Sequence, residues 1–268
     1  MRPRNRNSLM VPFRIHILGC GSAVPNKRHC PSCQLVEIGD KLLMIDCGDG
    51  SHVQMERHKL RTKRLGHIFI SHLHADHCLG LTGIFSIMRH KGRTDPIHVY
   101  AQKELEPILR SNFSFFCSTA CFEVIFHPID PELNRFVYED NSIEVATIPL
   151  HHGVPSCGFL IREKKGGKRS YAYCSDTAYN PDIPGYIKGV NLLYHEATYA
   201  SDKAQKAIDY GHSTAADAAL TAKEAGAKRL IIGHFSSRYE DESVLLDEAR
   251  AIFPNTFLAD EHQITEIE

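Results

Sequence analysis

No run of apolar residues in this chain approaches the roughly 20 that a membrane-spanning helix needs. The opening MRPRNRNSLMVPF is basic and polar and lacks the apolar stretch of a signal peptide. Residues 1–12 therefore read as a flexible tail before a single domain over 13–268. Net charge is nearly absent: the formal value is −1, which gives no global pull toward nucleic acid and leaves any RNA contact to a local patch. No repeat, low-complexity block or linker divides the chain. At 268 residues it is long enough to bury a core without disulfide staples.

The nine cysteines are scattered, mostly in apolar surroundings, and read as reduced thiols of a cytoplasmic protein. Cys30-Pro-Ser-Cys33 is a single Cys-x-x-Cys without a second pair, a weak metal signature: buried or reduced thiols are the main reading and an extra metal on the pair the minor one. Charge is unevenly spread. Met55 to Arg64 carries five Lys/Arg against one acid and leads toward the strongest motif, where an anion-holding role is credible. From Ser237 onward nine acids face two arginines, the pattern of a solvated face.

Short apolar strand-like runs alternate with a few helical patterns. Strands are expected at 14–18, 35–38, 42–45, 67–70, 97–100, 121–126, 136–138, 143–148, 192–194, 230–232 and 256–258. A hairpin is expected over 158–174, turning at Gly166-Gly167. Helices are expected at 79–90, 103–112, 214–225 and 243–253, the third stopped by Gly226. This order predicts an α+β chain of packed sheets with helices outside.

Seventeen histidines are many, and their placement carries the chemistry. The apolar run His67-Ile-Phe-Ile leads into SHLHADH, residues 71–77. In an extended segment positions i and i+2 point the same way, so His72 and His74 can share one metal. Asp76 and His77, past the bend, can face a second. Four metal-competent side chains in six positions do not read as ordinary satisfied histidines. His151-His152, Asp176 and His234 each follow a short apolar run, the same local design. An aspartate with two oxygens can bridge two cations. A His/Asp set without cysteine suits a catalytic Zn²⁺ site, with Mn²⁺ or Fe²⁺ as alternatives.

SHLHADH with the later single His, Asp and His resembles the metallo-β-lactamase superfamily. LGCGSAVP, LLMIDCGDG, YHEAT, GHSTAADAA and GHFSSRY narrow the resemblance to the ribonuclease Z family of transfer-RNA 3′-end endonucleases. It runs from about Phe13 to Ala259. It implies an αββα sandwich, two mixed β-sheets with helices on both outer faces, and a homodimer. It implies that His72, His74 and His152 hold one zinc, that Asp76, His77 and His234 hold the other, and that Asp176 bridges them. His152 is preferred to His151 for its context, HGVPSCGF. Asp76 is expected to orient the attacking hydroxide and take a proton. His212 is the candidate proton donor to the leaving oxygen, with Glu196 expected to hold it. His195 stands beside them, either as support for that network or as a structural histidine. Ser213 and Thr214 open a helix whose first N–H groups suit a phosphate, and N-capping explains the same residues. Arg93 lies in a basic loop, Arg89 to Thr94, similar to one near the family's active-site cleft.

One departure stands out. The family inserts an arm that clamps the transfer-RNA elbow between the third-motif histidine and the bridging aspartate. Here 23 residues separate His152 from Asp176, and the hairpin with its five basic residues fills nearly all of them. The expected activity is metal-dependent hydrolysis of a phosphodiester in precursor transfer RNA. The alternative is an arm-less phosphodiesterase acting on small or cyclic nucleotide diesters. A ligand-binding protein without turnover is disfavoured by His212 and Glu196, which such a protein does not need.

Overall fold

The computed structural model describes residues 11–24, 26–165 and 168–268. The first half of the chain supplies β1 (Phe13–Gly19), β2 (Cys33–Ile38), β3 (Lys41–Ile45), β4 (Leu65–Phe69), β5 (Ile97–Ala101) and β6 (Val124–Pro128). Between them lie α1 (Ser51–Arg57), α2 (Ala75–Cys78), α3 (Leu81–His90) and α4 (Leu105–Phe116). The second half supplies β7 (Phe136–Glu139), β8 (Ile143–Leu150), β9 (Ser156–Glu163), β10 (Ser170–Cys174), β11 (Leu192–Glu196), β12 (Arg229–Gly233), β13 (Thr256–Leu258) and β14 (Ile264–Glu266). Its helices are α5 (Ile183–Tyr186), α6 (Ala204–Tyr210), α7 (Ala215–Ala225) and α8 (Ser243–Ile252).

The strands form two seven-stranded sheets, ordered β14-β1-β2-β3-β4-β5-β6 and β13-β12-β11-β10-β9-β8-β7. Each is mixed. β3 to β6 run parallel in one, and β10 to β13 in the other. Successive side chains on a strand point to opposite faces, so a sheet covered on both sides reads as a nearly continuous apolar run. β3 shows this: Leu43 and Ile45 enter the core between the sheets, while Leu42 and Met44 enter the core under the outer helices. That outer core takes the apolar stripe Leu81, Ile84, Phe85 and Met88 of α3. Against the second sheet α7 presents Ala215, Ala218, Ala219, Ala222 and Ala225, small residues that let the helix lie close. The result is the expected αββα sandwich.

Several boundaries differ from the sequence reading. The strand expected at 121–126 begins at Val124, after a turn. α1, α6 and β14 were not apparent in the pattern. α1 and α6 are seven residues each, and β14 is a three-residue edge strand with little burial. The tail expected over 1–12 falls largely outside the described residues. Val11 and Pro12, however, are held: their carbonyls accept from Arg169 (2.7 Å) and from the Gly39 N–H (2.9 Å). The hairpin forms as β9 and β10, with Ser170 opposite Arg162, and its expected turn at Gly166-Gly167 lies outside the described residues. Three of its five basic residues are engaged within the fold. Arg169 is buried, donating to Glu163 at 2.6 and 2.8 Å and to the Ile267 carbonyl at 3.0 Å. Arg162 reaches Glu144, and Lys164 pairs with Glu139.

Candidate metal centre

The expected ligands converge where several strands end at one edge of the sandwich. His72 and His74 follow β4, His152 follows β8, Asp176 follows β10 and His234 follows β12. Their donor atoms form two groups. One is His72, His74 and His152 with Asp176; the other is Asp76, His77 and His234. Asp176 stands between them. Its Oδ2 lies 3.7 Å from His72 Nε2 and 3.8 Å from His152 Nε2, and its Oδ1 lies 3.2 Å from the Nε2 atoms of His77 and His234. Asp76 Oδ2 lies 3.4 Å from His77 Nε2 and 3.8 Å from His234 Nε2. His74 faces its group through Nδ1, 3.0 Å from His72 Nε2 and 3.4 Å from His152 Nε2.

The ring nitrogens of His77, His152 and His234 that point away from the centre are anchored. His77 Nδ1 lies 2.7 Å from Asp46 Oδ2, which also accepts from Ser71 Oγ (2.9 Å) and Tyr173 Oη (2.7 Å). His152 Nδ1 donates to the Gly211 carbonyl at 2.8 Å, and His234 Nδ1 meets Thr198 Oγ1 at 2.9 Å. Gly211 sits at φ 68, ending α6 in the left-handed region, and a Cβ there would stand 3.2 Å from His152 Nδ1. Such outer partners fix the ring orientation of metal-ligating histidines. Asp46, Asp176 and His234 hold positive φ values of 57, 31 and 58, a strain costing about 1–3 kcal/mol each, held by the surrounding structure.

The donor set fits divalent cations. The Nε2 atoms of His77 and His234 are buried and have no hydrogen-bond partner, although each lies 3.2 Å from Asp176 Oδ1. Burial pushes His72 and His74 down, toward the neutral imidazole that ligates. Burial alone would push Asp176 up, but His234, His77 and His72 hold it well below the usual carboxylate range, and Asp76 is likewise held low by His234 and His77. His77 is raised: its burial is outweighed by Asp176 and Asp46, carboxylates that call for positive charge between them.

His212 and Glu196 lie beside this centre. His212 joins Asp176 and His234 in a third close group, and its Nδ1 is 2.8 Å from Glu196 Oε1. Glu196 is fully buried and also accepts from the N–H groups of Thr177 (2.8 Å) and Thr198 (3.2 Å) and from Thr198 Oγ1 (2.6 Å). Burial would lower the His212 pKa, but Glu196 reverses this and raises it to about 9.

Three expectations need correction. His195 precedes Glu196 on β11 and so faces the opposite side of the sheet; its Nδ1 donates to the Glu196 carbonyl at 2.8 Å, and it joins neither metal group. Ser213 Oγ is buried and donates to the Thr177 carbonyl (2.6 Å), and Thr214 forms a capping box with Asp217 at the start of α7. A contact to the Thr177 carbonyl therefore accounts for the Ser213 hydroxyl, and N-capping for that of Thr214. Arg93 donates to the carbonyls of Thr62, Leu65, Asp95 and Pro96 at 2.6 to 3.1 Å, which pins its own loop. In the basic stretch before the motif, Arg64 is likewise engaged, by Glu37. Asp46, Thr198 and Gly211 were missed. Asp46 carries the same signal as the ligands, a polar residue just past an apolar strand. A cleft of about 830 Å³ opens beside His152, lined in part by Glu132, His151, Pro155 and Tyr210.

The model of the beta-lactamase superfamily domain matches residues 42–235. Ribonuclease Z of Bacteroides fragilis is 45% identical, covering 94% of this chain and 98% of the relative. That alignment spans 299 positions, so the relative carries tens of residues that face gaps in this 268-residue chain. Ribonuclease Z of Azobacteroides pseudotrichonymphae is 42% identical over 96% of this chain and all of its own. The crystal structure of the short form of human tRNase Z superposes with a TM-score of 0.83 at 27% identity, covering 95% of this chain and 99% of that one. Together with the His/Asp groups, the superfamily fold makes this a metal-dependent centre. Likeness of this degree, over nearly the full length of both chains, means that the chain belongs to the ribonuclease Z family of the beta-lactamase superfamily.

Proposed function

We propose that this chain is a metal-dependent endoribonuclease that removes the 3′ trailer from precursor transfer RNA. The observation that carries the reading is Asp176, whose two oxygens each face a separate nest of histidines, with the Glu196–His212 pair alongside. His72, His74 and His152 with Asp176 would hold one Zn²⁺, and Asp76, His77 and His234 with Asp176 the other; Mn²⁺ and Fe²⁺ suit the same donors. Two such cations supply Lewis acidity, lowering the pKa of water and neutralising charge on the phosphate.

The chain's own groups do the rest. Asp76, ionised and next to the nests, orients the attacking water and accepts its proton. His212 carries a proton at neutral pH because of Glu196 and donates it to the leaving 3′-oxygen. The cleft beside His152 is large enough to receive a nucleotide flanking the scissile bond. The Bacteroides relatives named ribonuclease Z support this substrate. The reading also includes one hydrolase domain over 13–268, a homodimer, and a reducing cytoplasmic setting; nine free cysteines support the last.

A second reading, hydrolysis of small or cyclic nucleotide diesters by the same centre, is favoured by the short span between His152 and Asp176. One experiment separates them. The chain loaded with Zn²⁺ or Mn²⁺ is assayed on a precursor transfer RNA and on bis(p-nitrophenyl) phosphate. Clean cleavage after the discriminator base supports the first reading, and activity on the small ester alone sinks it.

A further inference from the structure

Away from the metal centre, the loop after β1 and the segment after β13 bring together Cys20, His29 and Glu261, none of which the catalytic reading uses. Their donor atoms lie close: Cys20 Sγ to His29 Nδ1 is 3.3 Å, Cys20 Sγ to Glu261 Oε1 is 3.7 Å, and His29 Nδ1 to Glu261 Oε1 is 3.6 Å. A tetrahedral ion with Zn–S of about 2.3 Å and Zn–N and Zn–O of about 2.0–2.2 Å requires donor–donor edges of about 3.4–3.6 Å. The observed triangle matches within about 0.3 Å on every edge. Cys20 and Glu261 are buried.

The groups around the triangle are arranged for ligation. His29 Nε2 lies 3.2 Å from Glu242 Oε1, so its N–H is used there and the Nδ1 lone pair is left for the triangle. Glu261 Oε1 accepts from the backbone N–H groups of Cys30 (2.8 Å) and Cys20 (3.3 Å), which fix its position beside the triangle. Gln54 Nε2 reaches both Glu261 Oε2 and Cys30 Sγ, each at 3.2 Å, which holds the second Glu261 oxygen in place. Cys33, by contrast, packs in the outer core, so the site does not use the Cys-x-x-Cys pair as such.

We propose that Cys20, His29 and Glu261 form a third cation site for a zinc-class ion. On binding, Cys20 releases its thiol proton to solvent and ligates as thiolate, while His29 ligates as neutral imidazole. The ion ties the loop between β1 and β2 to the C-terminal segment. That loop in turn holds the residue after His234: the Phe235 N–H donates to the Cys20 carbonyl (2.9 Å) and the Ser22 N–H to the Phe235 carbonyl (3.1 Å). The third ion therefore steadies the loop carrying one catalytic ligand.

Cobalt substitution tests this, because the catalytic donors include no sulfur. The full chain titrated with Co²⁺ should take up three equivalents and show a near-ultraviolet thiolate-to-cobalt charge-transfer band. Cys20→Ser should lose the band's main intensity and one equivalent while keeping the other two. His29→Gln provides the same comparison should Cys20→Ser not fold. A wild-type chain that shows no such band, or that takes up only two equivalents, overturns the site. So does a band that persists unchanged in either variant.

Discussion

His212 is assigned the proton that the leaving oxygen needs, and the need depends on the leaving group. A ribose 3′-oxygen leaves as a strongly basic alkoxide unless it is protonated. A p-nitrophenolate leaves readily on its own. Replacing His212 with Ala should therefore lower cleavage of precursor RNA by about 10²–10⁴-fold, the usual contribution of a positioned general acid. Hydrolysis of bis(p-nitrophenyl) phosphate should fall less than about tenfold. Glu196→Gln probes the same proton more gently. Burial would lower the His212 pKa, and with the Glu196 carboxylate present it is instead raised to about 9; without that carboxylate the largest raising influence is gone and only Asp176 and Asp76 still act against burial. The protonated fraction near neutral pH then falls, and kcat on RNA falls with it. The sign follows: activity requires the protonated ring, so it is lost as pH rises through the His212 pKa. Bound cations lower that value, so the wild-type limb lies at or below about 9, and the Glu196→Gln limb moves to more acid pH. The assay is kcat against pH on both substrates with metal content held equal. Equal losses on RNA and on the aryl ester would refute the assignment and make His212 a phosphate-binding group.

Asp176→Ala removes the side chain that faces both nests and should abolish both activities together with most bound metal, read by elemental analysis. Asp46→Asn leaves every ligand in place but takes the charge from His77 Nδ1; metal affinity should drop about 10–100-fold in a chelator competition, while excess metal restores turnover. Thr214→Ala breaks the capping box of α7 and should cost about 1 kcal/mol, lowering Tm by about 2–4 °C with kcat unchanged. A loss of turnover without a loss of stability would return Thr214 to the substrate.

The candidate ligands were legible because most of them stand just past an apolar strand, and strands running the same way bring their ends to one edge. The run from His72 to His77 carries four donors in a few residues, and no tertiary information is needed to see them. Asp46 sits in the same position after β3 and was open to the same reasoning, but its role is visible only once His77 is placed against it. Alternation along a strand was the overlooked rule at β11: His195 and Glu196 are adjacent, so only one can face the centre. The pair Thr214 and Asp217 was visible as a capping box, yet its hydroxyl and a phosphate site compete for the same N–H groups on paper. The Gly211 carbonyl and the Thr198 hydroxyl could not be read at all. Their pairing with His152 and His234 depends on how α6 and the loop after β11 fold back over the strand ends.

The hairpin is the point at which chemistry and substrate choice part. β9 leaves the metal edge after His152 and β10 returns to it before Asp176, so the end of β9 at Glu163 and the start of β10 at Ser170 lie at the opposite pole. Eight residues of strand at about 3.3 Å each put that end roughly 25 Å away. The exposed Lys165 and Lys168 therefore do not touch their own chain's centre, and Arg162, Lys164 and Arg169 are engaged within the fold. An arm at this place, as the family resemblance implies, contributes binding energy remote from the scissile bond, and remote binding energy raises selectivity for the whole substrate. This chain should lack that term. Its kcat/KM for a full precursor transfer RNA should exceed that for a precursor hairpin made of the acceptor stem alone by less than about tenfold, equivalent to about 1.4 kcal/mol. A preference of a thousandfold would mean that the elbow is read by another surface of this protein, and would overturn the view that the short hairpin loosens its choice of substrate.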